Sequence, residues 1–150
     1  MSPFLESVQQ ILMRDLDRLE TEIRAYASAE LLWVVRGEIR NSAGTLCLHL
    51  CGNLQHYFGA VLGGTGYRRD RPAEFARRDV PREDLIQQIH AARAAVSLTM
   101  PRLDESRLDD EYPERVFDHP VSTRFFFIHL AAHLGYHLGQ VNYHRRLTTR

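Results

Sequence analysis

The chain contains the stretch His129-Leu130-Ala131-Ala132-His133-Leu134-Gly135-Tyr136-His137-Leu138-Gly139-Gln140. Helical residues four apart differ by only about 40° around the helix axis, because one turn holds about 3.6 residues. The three histidines therefore form one stripe within an otherwise apolar segment. Metal ligation is the most economical reason for such a stripe, since neutral imidazole is a common ligand of zinc, nickel, copper and iron. Two histidines at i and i+4 leave the coordination of an ion incomplete, so the rest of the chain must supply more ligands.

Composition indicates one globular domain. The chain has 150 residues, of which 44% are hydrophobic and 25% charged, and its formal net charge is zero. A chain of this length can bury a substantial core. The balanced charge and the lack of a basic run argue against nucleic-acid binding. All 19 positive side chains are arginine, which excludes a lysine nucleophile or Schiff base.

Cysteine spacing, the N-terminal pattern and two uncharged segments indicate where the protein resides in the cell. Cys47 and Cys51 lie four apart in one helical stretch, a spacing that fits disulfide geometry badly. A charged amphipathic pattern follows Met1 at once, so we expect no signal peptide and a cytoplasmic protein. Two long uncharged runs, 41–67 and 125–144, are rich in His, Asn, Gln and Gly, which are costly in lipid. We therefore expect no membrane span.

Apolar residues recur at steps of three and four, which predicts α-helices. We expect four long helices, over residues 3–26, 41–62, 81–100 and 120–147. No segment shows sustained two-residue alternation, so no strand is predicted. Two long connections separate these helices: the Gly- and Arg-rich segment 63–80 and an acidic link over 103–120, which is typical of a solvated loop. The pattern predicts an all-α four-helix bundle.

Helix two supplies the natural third ligand. Bundles build metal sites from inward side chains on facing helices, and His49 lies on an apolar stripe of helix two. Cys47 and Cys51 point elsewhere around that helix. A site of His49, His133 and His137 leaves room for water or substrate, which is typical of catalytic rather than structural sites. An ordinary hydrogen-bonded core histidine stays open as the alternative for each of the three.

Four further residues are candidates for supporting roles near such a site. Asn53 and Gln140 lie within one turn of a ligand and could hold a ring N–H or a metal-bound water; ordinary packing amides are the alternative. His129 shares the histidine stripe, and a packing or supporting role suits it better than ligation. Arg68 and Arg71 could bind an anionic substrate. The alternative for these arginines is a structural loop, tied by ion pairs to its own carboxylates.

Three segments together resemble the DinB-like (DinB/YfiT-type) superfamily. The helix-two motif of one branch is similar to Asn41-Ser42-Ala43-Gly44-Thr45-Leu46-Cys47-Leu48-His49-Leu50-Cys51-Gly52-Asn53-Leu54. An arginine-rich element of that branch is similar to Arg68-Arg69-Asp70-Arg71-Pro72-Ala73-Glu74-Phe75. The helix-four signature, a histidine pair followed by Gly-Gln, resembles residues 133–140. Helices one and three match the superfamily in pattern only.

The resemblance implies an up-down-down-up four-helix bundle, often dimeric, with a three-histidine site for a divalent metal ion. Carried onto this chain, the ligands are His49, His133 and His137. Members of the wider superfamily include thiol-dependent S-transferases, a maleylpyruvate isomerase that uses mycothiol, and a metal-dependent hydrolase. We expect zinc or nickel in the site, with iron or copper as alternatives.

Two functional hypotheses follow. The first is a metal-dependent enzyme, either a thiol-dependent S-transferase or isomerase, or a hydrolase. Its partners would be a second copy of the chain and a low-molecular-weight thiol or other small-molecule substrate. The second hypothesis is a non-catalytic, stress-associated dimeric scaffold in which the metal is a structural pin. A fourth protein ligand, such as His129, would favour the scaffold.

Overall fold

The structure, a computed structural model, describes residues 1–148. Over these residues the regular elements are helical, as the sequence predicts. We number the helices α1 (Pro3–Ala25), α2 (Ala43–Leu54, continued by a π-helical segment, Gln55–Leu62), α3 (Arg71–Ala76), α4 (Arg82–Thr99) and α5 (Thr123–Thr148). Short 3₁₀ turns lie in the connections, at Glu30–Trp33, Met100–Arg102 and Glu105–Arg107. No helix in this part of the chain is long and apolar enough to span a membrane.

The four long helices lie where the apolar periodicity predicts them, and their ends have local causes. The Ser2 hydroxyl accepts a hydrogen bond from the Leu5 amide, and Pro3 occupies the first turn of α1. The Ser122 hydroxyl accepts one from the Phe125 amide, so α5 begins at Thr123 rather than at residue 120. The short helix α3, inside the predicted connection 63–80, was not expected from the sequence.

The bundle places the two histidine-bearing helices side by side. Helix α1 packs against α4 and α5, and α2 packs against the same two helices, whereas α1 and α2 barely touch. The up-down-down-up order of helix directions stays a prediction. Because α2 and α5 are neighbours, inward side chains of one can reach inward side chains of the other.

Helix α2 is the central helix of the bundle. All twelve of its residues from Ala43 to Leu54 are buried, which explains why its apolar residues do not form a single stripe. Two of its glycines allow close neighbours. The Trp33 indole packs on Gly44, and the Glu74 carboxylate packs on Gly52. Polar side chains on α2, including His49 and Asn53, are therefore held in the interior and need partners there.

The last two turns of this helical stretch widen into a π-helix. Within it the Gly63 amide donates to the Phe58 carbonyl, five residues earlier. Side chains from elsewhere donate to two of its carbonyls: Tyr112 to that of Tyr57 at 2.7 Å, and Thr99 to that of Phe58 at 3.1 Å. π-helical turns of this kind occur frequently at functional sites. The sequence predicts the extent of this helix but not its change of pitch.

We expect Gly44→Ala to lower the free energy of unfolding by about 1–3 kcal/mol, the usual cost of overpacking a core. A Cβ atom there would lie 2.6 Å from Cζ2 of Trp33. Trp33 is the single tryptophan of the chain, so its fluorescence in a urea titration reports the change directly. Gly139→Ala on α5 is the control, because nothing lies within 4 Å of its added Cβ and alanine favours helix. Equal effects of the two substitutions would contradict the packing described for Trp33.

Candidate metal centre

Three imidazoles meet between α2 and α5. His49 comes from α2, and His133 and His137 come from successive turns of α5. One nitrogen of each ring lies within 4.8 Å of the other two. The Nε2 atoms of His49 and His133 are 3.1 Å apart. The structure thus brings together the three histidines that the sequence analysis singled out.

Two of these rings are oriented by acceptors at Nδ1. The Nδ1 atom of His49 lies 3.1 Å from Oε1 of Glu74, and that of His137 lies 2.7 Å from Oε1 of Gln140. Each acceptor favours a proton on Nδ1 and leaves the Nε2 lone pair free for a ligand. Gln140 is one of the residues predicted from the sequence to hold a ring N–H near the ligands.

The third ring, that of His133, has a nitrogen without a hydrogen-bond partner. Nδ1 of His133 is buried and has no hydrogen-bond partner. Its Nε2 faces that of His49, and two unprotonated nitrogens at this distance repel each other unless a proton or a cation lies between them. A cation bound between the rings would remove that repulsion and fix the His133 proton on Nδ1.

Glu74 of α3 is the buried partner that the sequence analysis did not assign to a histidine. Both of its oxygens accept from the Arg69 guanidinium, each at 2.9 Å. Burial raises the pKa of Glu74, but the hydrogen bonds from His49 and Arg69 outweigh this effect and hold the pKa below its usual value. Glu74 is therefore a carboxylate at neutral pH and acts on His49 as an anion.

A glycine makes the contact between Glu74 and α2 possible. A Cβ atom on Gly52 would overlap the Glu74 carboxylate, coming within 2.0 Å of Oε2. Gly52 stands in the middle of a helix, where glycine usually costs stability and so needs a reason such as close approach. That cost was a readable signal in the sequence that another group packs on this turn.

A cavity of about 320 Å³ opens beside His49 and His133. Both polar and apolar side chains form its wall. It is lined by His49, Asn53, Tyr57, Arg69, Arg71, Val116, Phe126, His129, Leu130 and His133. The cavity thus gives a small molecule access to the meeting point of the rings.

The family assignment rests on a comparison with known protein families. The sequence model of the DinB superfamily matches residues 11–141, a range that includes the three histidines, Glu74 and the cavity. The chain belongs to the DinB superfamily. No curated protein and no solved structure matches it significantly. The resemblance seen in the helix-two and helix-four motifs is therefore confirmed at the level of the superfamily.

Two of the three clustered histidines of this DinB-superfamily chain, His133 and His137, are kept neutral by their surroundings. Burial, with smaller effects from the neighbouring His137 and His49, lowers the pKa of His133 to about 3. Burial also lowers the pKa of His137, although the hydrogen bond with Gln140 opposes this. Neutral imidazole is the form that binds metal ions, so His133 and His137 are ready to ligate at neutral pH.

The remaining candidates are placed differently from one another. His129 lines the cavity but lies outside the three-histidine group; its ring stacks on Phe126 with centroids 5.8 Å apart. Asn53 also lines the cavity, and its Oδ1 has no partner. Arg68 is exposed and lines a separate depression with Tyr67. Arg69 and Arg71, rather than Arg68, line the cavity beside the histidines. A substrate-binding role for Arg68 stays a prediction.

In the metal-free protein, we expect stability to fall as the pH falls from about 6.5 toward about 3. The pKa of His133 is about 3 in the folded chain and about 6.5 in an unfolded one, so the unfolded state binds the proton first. The stabilisation is therefore complete above the unfolded pKa and is lost progressively below it. Urea titrations at stepwise pH values measure this loss.

His133→Asn should flatten that pH dependence, because the depressed group is gone. His119→Asn is the control, since His119 lies in the exposed connection before α5. If His133→Asn and the unchanged chain lose stability with the same slope, His133 does not titrate as its burial requires.

Proposed function

We propose that this protein is a metal-dependent enzyme in which His49, His133 and His137 bind one divalent ion. The observation that carries the proposal is the convergence of three imidazoles, two of them with Nδ1 already bonded to Glu74 and Gln140. The membership in the DinB superfamily supports it, because that superfamily often binds metal. We propose zinc or nickel as the ion, with iron or copper as the alternatives.

The spacing of the nitrogens suits a single ion. Two imidazole nitrogens bound to one tetrahedral zinc lie about 3.3 Å apart, since each Zn–N bond is about 2.0–2.1 Å. The separation between Nε2 of His49 and Nε2 of His133, 3.1 Å, agrees with this value. The unpartnered Nδ1 of His133 also fits, because metal ligation through Nε2 would define its proton.

Three protein ligands leave a position for substrate or water, as is usual for catalytic sites. The adjoining cavity would admit a small molecule to that position. A bound divalent ion would supply Lewis acidity, which lowers the pKa of a coordinated water or thiol to near neutrality. The reaction class that we propose is therefore transfer or isomerisation with a low-molecular-weight thiol, or hydrolysis.

The chain's own side chains would orient the ligands and the substrate. Glu74, held by Arg69, fixes the ring of His49, and Gln140 fixes the ring of His137. Tyr57 and Asn53 are available to contact a bound molecule. Within the described residues, no carboxylate lines the cavity, so we assign no general base to this chain.

We favour the enzyme over the metal-pinned scaffold because of His129. The scaffold hypothesis gains from a fourth protein ligand, and His129 was its candidate. Its ring instead packs edge-on against Phe117, with centroids 5.0 Å apart, and stacks on Phe126. A homodimer remains part of the proposal, supported by the exposed aromatic and aliphatic side chains of α5, Tyr136, Tyr143 and Leu147.

His133→Ala should lose the bound metal while keeping its helical circular dichroism. His129→Ala is the matched control: it removes a neighbouring ring of the same helix and cavity, and it should retain the metal. Elemental analysis of protein purified without a histidine tag gives the metal content per chain. Retention of metal by His133→Ala would refute the ligand assignment, and its loss from both variants would support four ligands and the scaffold.

Glu74→Gln should weaken zinc binding by about tenfold, within the range known for groups that orient metal ligands. The amide keeps the size of the side chain but removes the charge that stabilises the His49 ring. Competition with a chromophoric chelator measures the affinity. Glu114→Gln is the control, because Glu114 pairs with His56 and lies outside the three-histidine group. An unchanged affinity in Glu74→Gln would show that its contact with His49 does not support the site.

A further inference from the structure

The cavity beside the histidines carries a positive charge that the chain does not neutralise. Arg69 and Arg71 both line it. Arg69 is neutralised by Glu74 through two hydrogen bonds of 2.9 Å. Arg71 has no carboxylate partner in residues 1–148; its guanidinium lies over the ring of Phe75, 5.1 Å from the centroid. Arg69 thus stabilises the site, whereas the guanidinium donors of Arg71 are available to a ligand in the cavity.

The acidic groups of this region are already engaged. Glu74 is bound by Arg69 and His49, and Glu114 by His56, at 2.8 Å from the nearer oxygen. None of the residues that line the cavity is acidic. A cationic ligand would therefore meet the charge of Arg71 and no carboxylate there, and a neutral ligand would leave the exposed Arg71 guanidinium paired only with water.

The remaining cavity-lining residues and the cavity volume indicate the size and polarity of the ligand. Val116, Phe126 and Leu130 supply apolar surface to the cavity wall. Its volume, about 320 Å³, is near the lower end of the range for small-molecule sites, roughly 300–1,000 Å³. These features favour a compact molecule with a hydrophobic body rather than a free inorganic ion.

Asn53 supplies a second, independent polar feature. The side chain is only 7% exposed, and its Oδ1 has no hydrogen-bond partner. A buried acceptor without a partner costs about 1–3 kcal/mol, so a fold that keeps one at a cavity wall indicates that something else supplies the donor. The apolar wall lies within the same cavity as Asn53 and Arg71, so one small molecule can contact all three.

We propose that the cavity binds a small organic anion. Its anionic group pairs with Arg71, its hydrophobic body packs against Val116, Phe126 and Leu130, and a polar group reaches Asn53 beside the histidines. The assignment of this anion as the substrate rests on the proposed metal-dependent function. The binding itself depends only on the chain and requires no metal ion.

Benzoate and its neutral analogue benzamide test this proposal by NMR titration of the 150-residue chain, as purified and after treatment with a chelator. Benzoate should bind both forms, with shifts in signals of residues that line the cavity, and benzamide should bind at least about tenfold more weakly, as expected for losing one charge-assisted pair. Phenyl phosphate, titrated in parallel, distinguishes a carboxylate from a phosphate as the preferred anion.

Arg71→Gln should weaken benzoate binding by about tenfold and leave benzamide unaffected. Arg68→Gln is the matched control, since Arg68 is an exposed arginine three residues before Arg71 and lines a different depression. Val116→Trp should abolish binding of both probes by filling the cavity, with circular dichroism to verify the fold.

Four results would overturn the proposal: equal affinity for benzoate and benzamide, equal weakening by Arg68→Gln and Arg71→Gln, binding that survives Val116→Trp, or binding only to the metal-loaded form. The last result would place the anion on the ion instead of on Arg71. Loss of the metal site would not produce these results. A chain that fails to bind metal but binds benzoate through Arg71 refutes the proposed function and leaves the anion site standing.

Discussion

The contact between Glu74 and His49 is the constraint on which the site depends. A carboxylate and an imidazole buried in a helical bundle lose their hydration, and only mutual hydrogen bonding makes that burial tolerable. Arg69 completes the arrangement, because its two hydrogen bonds balance the charge of Glu74. The same three residues tie the irregular segment after α2 back onto the bundle. The orientation of His49 and the position of α3 are therefore fixed by one set of hydrogen bonds.

The full burial of α2 is what makes this arrangement possible. A helix with one solvated face would let His49 turn its Nδ1 to water, whereas α2 is enclosed by its neighbours along its whole length. Gly52 then provides the space in which the Glu74 carboxylate lies against this turn. The stability lost through a mid-helix glycine is therefore linked to the stabilisation of His49 by a neighbouring anion, because the first makes room for the second. Similar reasoning applies to Gly44, whose missing side chain is replaced by the Trp33 indole.

The long helices and the pair His133 and His137 could be predicted from residue spacing within one helix, whereas His49 came from its position on helix two and from the family resemblance. The parts that could not be predicted depend on contacts between distant residues. Helix α3 has six residues, too few for a periodic pattern. Arg68 and Arg69 are adjacent in an irregular loop, where no periodicity indicates which one faces inward. His144 shows the same limit: it is a buried core histidine held between Tyr26 and the Val34 carbonyl, at 2.7 and 2.8 Å, which its position on α5 alone did not reveal.

Two of the buried side-chain atoms without a hydrogen-bond partner belong to residues that line the cavity, whereas two others, Oε1 of Gln9 and Nδ1 of His56, belong to residues outside it. Nδ1 of His133 and Oδ1 of Asn53 are both buried without partners, and both residues line the same wall. His49 and His137, by contrast, have their Nδ1 atoms bonded to side chains of the protein. Buried polar groups in folded proteins are almost always paired, and exceptions are expected where a ligand completes the structure. The fold gives hydrogen-bond partners to Nδ1 of His49 and His137 and leaves His133 without one beside a cavity. This arrangement favours the binding of a ligand at the His133 ring.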